Sequence, residues 1–287
     1  MLHKRSRNGS PMSAIARSNP VVRAWRKTIA LINIYIQETL AYRAGAFIWG
    51  LADGQLALIL PAVWLAAFGQ QEMIGGRDPS ALVTYYLAAS FLSQFIVCHL
   101  MWDIGFEIRE GLFSVYLLRP INVVWMHLAR NVGWRIIKVV LYAPIGLLFI
   151  LIYGKYLVGL DLYLGPGFWL ALILAHFLSF FVAWSIALIS LWTTEFVSIF
   201  RLYYFPEMFL SGRLVPLETM PPWAMTLADV SPFKYTVAFP VGVLLGEVHG
   251  DAWLRGVAMQ AMWIALFVVV SSVLLKKGLK QYTGFGN

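Results

Sequence analysis

Residues 168–192 read FWLALILAHFLSFFVAWSIALISLW, 25 consecutive positions without an Asp, Glu, Lys or Arg. A helix needs about 20 predominantly apolar residues to cross the ~30 Å hydrocarbon core of a bilayer. This run is long enough, and it decides the fold class, because its solvent is lipid. Five further segments pass the same test, at residues 46–68, 82–102, 132–153, 196–214 and 253–275, with 196–214 the least regular. The composition agrees. The chain has 287 residues, of which 60% are hydrophobic and 13% charged. Ordinary soluble domains run at about 45–50% apolar and about 25% charged. A soluble fold could not hide so much apolar surface. The expectation is an all-α membrane protein with six transmembrane helices. Residues 20–280 form one transmembrane domain between a basic tail (1–19) and a short tail (281–287).

The formal net charge is +8. Such a balance can mean nucleic acid, but here the basic residues flank the apolar runs, as in membrane proteins that keep Lys and Arg on the cytoplasmic side. Seventeen of the 22 Lys and Arg fall on one side of the six-span arrangement, and Arg77, Lys155, Arg213, Lys234 and Arg255 on the other. That asymmetry places both termini in the cytoplasm, which an even number of spans also requires. Met1 to Lys27 is basic and polar and does not read as a secretory signal. Cys98 is the one cysteine, so a disulfide within the chain and a cysteine-rich metal site are both excluded.

Two stretches outside the spans are structured. From Val21 to Arg43, the residues Trp25, Ile29, Ile32, Ile36 and Leu40 recur at helical spacing, with Arg26, Asn33 and Gln37 on another face. This predicts an N-terminal amphipathic helix lying along the interface or packed against other protein. Leu214 to Asp251 is too apolar for a free loop and too rich in proline for a simple span. Short re-entrant helices before the last span would satisfy both facts, since broken backbone at membrane depth must be shielded by protein or face water. Between the fourth and fifth spans only Thr193, Thr194 and Glu195 make the turn.

Catalytic signatures are missing. The only Gly-Lys pair, Gly154-Lys155, is followed by Tyr156, and Phe149 stands where a phosphate-cradling loop needs its first glycine. There is no zinc-binding H-E-x-x-H and no G-x-S-x-G elbow. The five histidines are isolated in sequence. The expectation is no catalytic residue, no metal and no cofactor bound by this chain. Ionisable or polar residues within spans are the candidates for function, because each is costly in lipid unless paired or hydrated. Asp53 and Gln55 in the first span, and Arg201 and Glu207 in the fifth, are candidate pathway residues. The alternative role for the charged ones is to fix helix packing.

The segment after the second span reads DIGFEIREGLFSVYLLRP, residues 103–120. Charges of both signs alternate with apolar side chains, and Pro120 supplies a stop. A short amphipathic helix of this kind suits docking to a soluble partner.

Here the sequence resembles the permeases of type-2 ABC exporters, in the bacterial branch whose cytoplasmic segment reads roughly I-R-x-G-x-L/F-x-x-x-L-L-R-P. This chain has Ile108-Arg109-Glu110-Gly111-Leu112-Phe113-Ser114-Val115-Tyr116-Leu117-Leu118-Arg119-Pro120. The second resemblance lies before the last span, in Leu210 to Pro216, then Met220-Pro221-Pro222-Trp223, then Ser231-Pro232-Phe233-Lys234-Tyr235. The likeness runs from Val21 to Lys280. It implies a permease in the bacterial cytoplasmic membrane, paired with a second permease, identical or homologous, and with two ABC ATPase subunits that bind ATP and Mg. It implies that Glu107, Arg109, Glu110, Gly111, Leu117, Leu118, Arg119 and Pro120 belong to the helix that couples to the ATPase. Pro216, Pro221, Pro222, Trp223, Pro232, Phe233 and Tyr235 would belong to an outer re-entrant cap. The first, second and fifth spans would line the substrate path. Membrane lipid is the remaining partner, and no nucleic acid is expected. A lipid-modifying membrane enzyme would instead cluster its polar residues on one membrane side, and an ion-coupled secondary transporter would show inverted repeats. The sequence has neither feature.

Overall fold

The structure, a computed structural model, describes residues 20–193 and 195–282. The tails at 1–19 and 283–287, and Thr194 in the turn expected between spans, lie outside the described residues. Helix dominates, and among the described residues the only β pairing is an isolated bridge between Ile74 and Arg77. In chain order the helices are α1 (Pro20–Ala41), α2 (Arg43–Phe68), α3 (Pro79–Ile96), α4 (Leu100–Arg109), α5 (Phe113–Leu117) and α6 (Val123–Tyr153). Then come α7 (Pro166–Ala187), α8 (Phe196–Leu210), α9 (Pro222–Val230), α10 (Ala238–Leu244) and α11 (Gly250–Gly278).

Among the described residues, five stretches are long and apolar enough to cross a membrane: Phe47–Phe68, Pro79–Arg109, Val123–Tyr156, Pro166–Leu191 and Gly250–Gly278. They match five of the six expected spans, with two differences. The third begins at Val123, nine residues ahead of the expected 132, because His127, Arg130 and Asn131 are accommodated by partners inside the protein rather than by lipid. The second is interrupted at residues 97–99. Hydropathy cannot see that break, since Val97 and Cys98 are themselves apolar.

The expected span at 196–214 is a helix of 15 residues, α8. At 1.5 Å per residue it is about 22 Å long, short of the ~30 Å core. Gly212, at φ +79°, lies in the left-handed region that L side chains avoid, and the chain turns away there.

The core is organised around α7. Its 22 residues include no charged side chain, so it can be surrounded. Phe168, Ala171, Ala175 and Leu178 on α7 pack with α3 and α10 in one apolar cluster. Phe180, Ala183 and Trp184 join α4, α5, α8 and the start of α6 in a second. α11 lies along α7 on the outside, and Gln260 of α11 donates to the carbonyls of Ala171 and Tyr235 at 3.0 and 2.9 Å. α1 packs along α6 through Leu31 and Tyr35, and Trp125 donates to the Thr28 hydroxyl at 3.1 Å. The stripe read from the sequence is largely left outside this contact: Trp25 is 65% exposed, and Ile29 and Leu40 are also exposed. α1 therefore packs one face on protein and leaves an apolar face outward.

Candidate functional site

The break in the second span organises the middle of the molecule. A helix interrupted inside the membrane leaves carbonyls and N–H groups that must find partners within the protein. Arg135 of α6, 6% exposed, donates to the carbonyl of Gln94 at 2.7 Å and to that of Val97. His176 of α7 meets the Phe95 carbonyl at 2.8 Å, and the Cys98 amide donates to the Ser179 hydroxyl at 3.0 Å. The three carbonyls and the Cys98 amide thus find side-chain partners. His99, at the restart, meets the Tyr204 hydroxyl of α8 at 3.2 Å.

Two cavities adjoin the break. The larger, about 620 Å³, lies between α1, α4, α6 and α8. The smaller, about 150 Å³, lies toward the other end, beside α2, α3 and the residues after α8. Val97, His99, Lys138 and Tyr204 line both, so they form the partition between them. The larger cavity has four basic side chains in its wall, Arg130, Arg135, Lys138 and Arg201, against two carboxylates, Glu38 and Asp103.

One end of the molecule carries α5. Helix α4 runs on from the second span through Arg109, and Gly111 then turns the chain at φ +75° into α5. Phe113 points inward and is fully buried against His127 of α6 and Tyr282, and the Ser114 hydroxyl donates to that of Tyr282 at 3.3 Å. Leu118 is 86% exposed, and Leu112 and Val115 are half exposed. Arg119 lies over the Tyr116 ring and Arg109 over that of Phe106. Arg109, Glu110, Arg119 and Pro120 are exposed, and Leu117 is half-buried. Of the residues assigned to coupling, Glu107 differs in kind. It is buried on α4, ion-paired with Arg130 and 3.7 Å from His127. Its place is an internal anchor joining α4 to α6, not a contact surface. Burial and the nearby Glu107 charge push the Tyr116 phenol up to about 12.

Of the four pathway candidates, the three described side chains do not converge. Arg201 lines the larger cavity. Glu207 is 3% exposed and forms an ion pair at 2.7 Å with Arg213, just beyond α8. An internal ion pair is the alternative weighed for it beside a pathway role. Gln55 is exposed on α2. The backbone of Asp53 is in α2, but its side chain lies outside the described residues.

At the opposite end the predicted cap residues are brought together. Pro216 and Pro221 immediately precede short helices, and Pro222 occupies the first turn of α9, where its missing N–H costs nothing. Phe233 packs on Tyr203 of α8, the Tyr235 hydroxyl donates to the Asp229 carbonyl at 2.9 Å, and Pro232 is buried. Trp223 is exposed. Tyr85 and Tyr86 of α3 donate to the carbonyls of Gly212 and Leu214 at 2.7 and 3.0 Å, tying this segment to the second span. Sequence reasoning missed Arg77. It is buried, forms a two-pronged pair with Glu247 at 2.6 and 2.8 Å, and reaches Glu218 at 3.3 Å. Burial works against its charge, but the Glu247 and Glu218 carboxylates outweigh it, and its pKa is raised. The three residues lie in separate connecting segments, Glu218 in a short helical turn, so no local pattern could have joined them.

A family model described as "ABC-2 family transporter protein" matches residues 55–286. No curated protein matches the chain.

Proposed function

Because this chain belongs to the ABC-2 transporter family and is a multi-pass membrane permease subunit of an ABC transporter, we propose that it serves an ATP-driven exporter, paired with a second permease and with two cytoplasmic ATPase subunits. The observation that carries this reading is the end formed by α5. Apolar side chains normally shun water, yet Leu118, Leu112 and Val115 stand outward together while Phe113 is anchored beneath them. An exposed apolar cluster rimmed by charge suits a protein partner. In this reading Arg109, Glu110, Leu117, Leu118, Arg119 and Pro120 meet the ATPase, and Gly111 sets the angle of the turn. ATP and Mg act in that partner. The buried Glu107–Arg130 pair carries movement of α5 into α4 and α6, because a rigid anchored element moves as a unit.

The remaining assignments follow from the same reading. α8 with the residues after it, to Leu214, makes the sixth crossing. α9 and α10 are the re-entrant helices of an outer cap. The α5 end and both termini face the cytoplasm of a bacterial inner membrane, with the exposed stripe of α1 on its surface. α2, the α3–α4 pair and α8 face the second permease across the substrate path. The support is the Lys and Arg asymmetry of the sequence, which puts both termini on one side and so needs an even number of crossings.

Purification of the tagged chain from its own host in a mild detergent, with mass spectrometry of what accompanies it, tests the proposal. A P-loop ATPase that is lost with Leu118→Asp or Arg119→Glu is the expected result. A chain that purifies alone from intact complexes overturns it.

A further inference from the structure

We propose that His99 and Tyr204 form a latch across the wall between the two cavities, and that rotation of the Tyr204 ring opens one cavity to the other. This deepens the permease reading, on which it rests, by assigning the point at which a substrate would pass along the path. The wall is made of Val97, His99, Lys138 and Tyr204, which line both spaces. These four are not alike. Val97 and Lys138 are buried, and the Val97 carbonyl is held by Arg135. His99 and Tyr204 are half-buried. The His99 Nε2 and the Tyr204 hydroxyl lie 3.2 Å apart, and the two rings are tilted toward each other at 5.7 Å. That hydrogen bond joins the two members of the wall that have room to move.

The surroundings decide which part moves. On the α5 side of the latch, α4 and α8 are locked together by two edge-on aromatic pairs, Trp102 with Phe200 and Phe106 with Phe196, each at 5.3 Å. Close-packed rings of this kind hold the spacing between helices. Passage at the wall therefore needs a side chain to swing, not two helices to part. At the latch itself the backbone is irregular. Val97 is extended, with ψ 123°, and His99 lies outside helical geometry at φ −107° and ψ 12°. A break of this kind is where a chain absorbs a local change without breaking a helix. Among the contacts of Tyr204 is the Arg213 guanidinium, 5.4 Å over its ring. A neutral hydrogen bond and a cation over a ring are each modest interactions. A side chain can exchange such contacts by moving between staggered rotamers.

The test is labelling of single cysteines in the full chain, in sealed membrane vesicles, with a membrane-impermeant methanethiosulfonate reagent. The chain without an added cysteine gives the background, since Cys98 is buried. Trp134→Cys reports the larger cavity and Ser90→Cys the smaller, because each position lines one space and not the other. The reagent is added on the vesicle side from which Trp134→Cys is labelled. From that side Ser90→Cys is expected to react far more slowly than Trp134→Cys. Tyr204→Phe keeps the ring and removes the hydroxyl, and His99→Leu removes the other partner. Each should speed Ser90→Cys labelling by about 2–10-fold, the scale of one neutral hydrogen bond, and the two together should add little to either alone. Trp134→Cys labelling should stay the same, which reports that the fold is kept, and if one variant misfolds the other still decides. An unchanged Ser90→Cys rate in Tyr204→Phe and His99→Leu would overturn the proposal. A rate that rises only in Tyr204→Ala would also overturn it, since that marks a static plug. Because labelling needs no ATPase, failure to recover an ATPase partner would sink the exporter reading and leave this result standing.

Discussion

Arg135 on α6 donates to the carbonyl of Gln94 on α3 at 2.7 Å, and through its other terminal nitrogen to that of Val97. One side chain thereby closes the gap that residues 97–99 open in the second span. A buried acceptor stripped of its donor costs about 1–3 kcal/mol, and two are served here. Arg135→Leu is expected to lower stability by about 2–5 kcal/mol in a denaturation series run in detergent. Arg135→Lys, which can reach one carbonyl at a time, should recover part of it. A Leu variant as stable as the parent would mean that the break is bonded some other way.

The anchor beneath α5 can be separated from its surface. Glu107 is 7% exposed and paired with Arg130, whereas Leu118 is 86% exposed. Leu118→Asp should change stability by no more than about 0.5 kcal/mol and still lose the ATPase. Glu107→Ala leaves the half-buried Arg130 guanidinium without its nearest partner and should cost about 1–3 kcal/mol. Thermal unfolding and ATPase recovery, measured on both variants, must diverge in this way. If Leu118→Asp retains the ATPase, α5 is not the docking element.

Gly111 turns the chain at φ +75° between α4 and α5. A β-branched residue is strongly disfavoured there, by ~1–2 kcal/mol. Gly111→Val should therefore misdirect α5. The expected phenotype is weakened ATPase recovery with stability lowered by only about that amount. Gly111→Asn, which tolerates the left-handed region, should retain more of the partner.

Arg77 holds three connecting segments together at the other end through Glu247 and Glu218. Those carboxylates keep substantial access to water, with side-chain exposures of 40% and 46%, so the cluster is worth about 1–2 kcal/mol rather than the full value of a buried pair. Arg77→Gln should lose that much. The pKa of Arg77 is raised. Its contribution is therefore complete below the unfolded-state value and is lost only as pH rises through the folded one, far into the alkaline range. The stability difference between parent and variant should stay constant from about pH 7 to pH 10. A difference that falls steadily across that range would contradict the assignment.

The sequence by itself determined that lipid is the solvent, where five of the crossings lie, and that α1 has an apolar stripe. Each follows from composition or periodicity over contiguous residues, and hydrophobic transfer is additive along a chain. The α5 region and the proline-rich segment before the last helix were legible for the same local reason: Gly111, Pro120, Pro221 and Pro222 act on the backbone at their own positions. What only the tertiary structure decided depends on residues far apart in the chain. The break at 97–99 sits in an apolar run and exists because Arg135, His176 and Ser179 answer it from two other helices. Glu107 reads like a surface charge until α6 brings Arg130 and His127 against it. Glu207 reads as a partner for a path until Arg213 folds back onto it. The larger cavity gathers Arg130, Arg135 and Arg201 from α6 and α8. Whether a charge in a membrane helix is a cost, an anchor or a binding group is set by what stands within a few ångströms of it, and in this chain those neighbours lie on other helices.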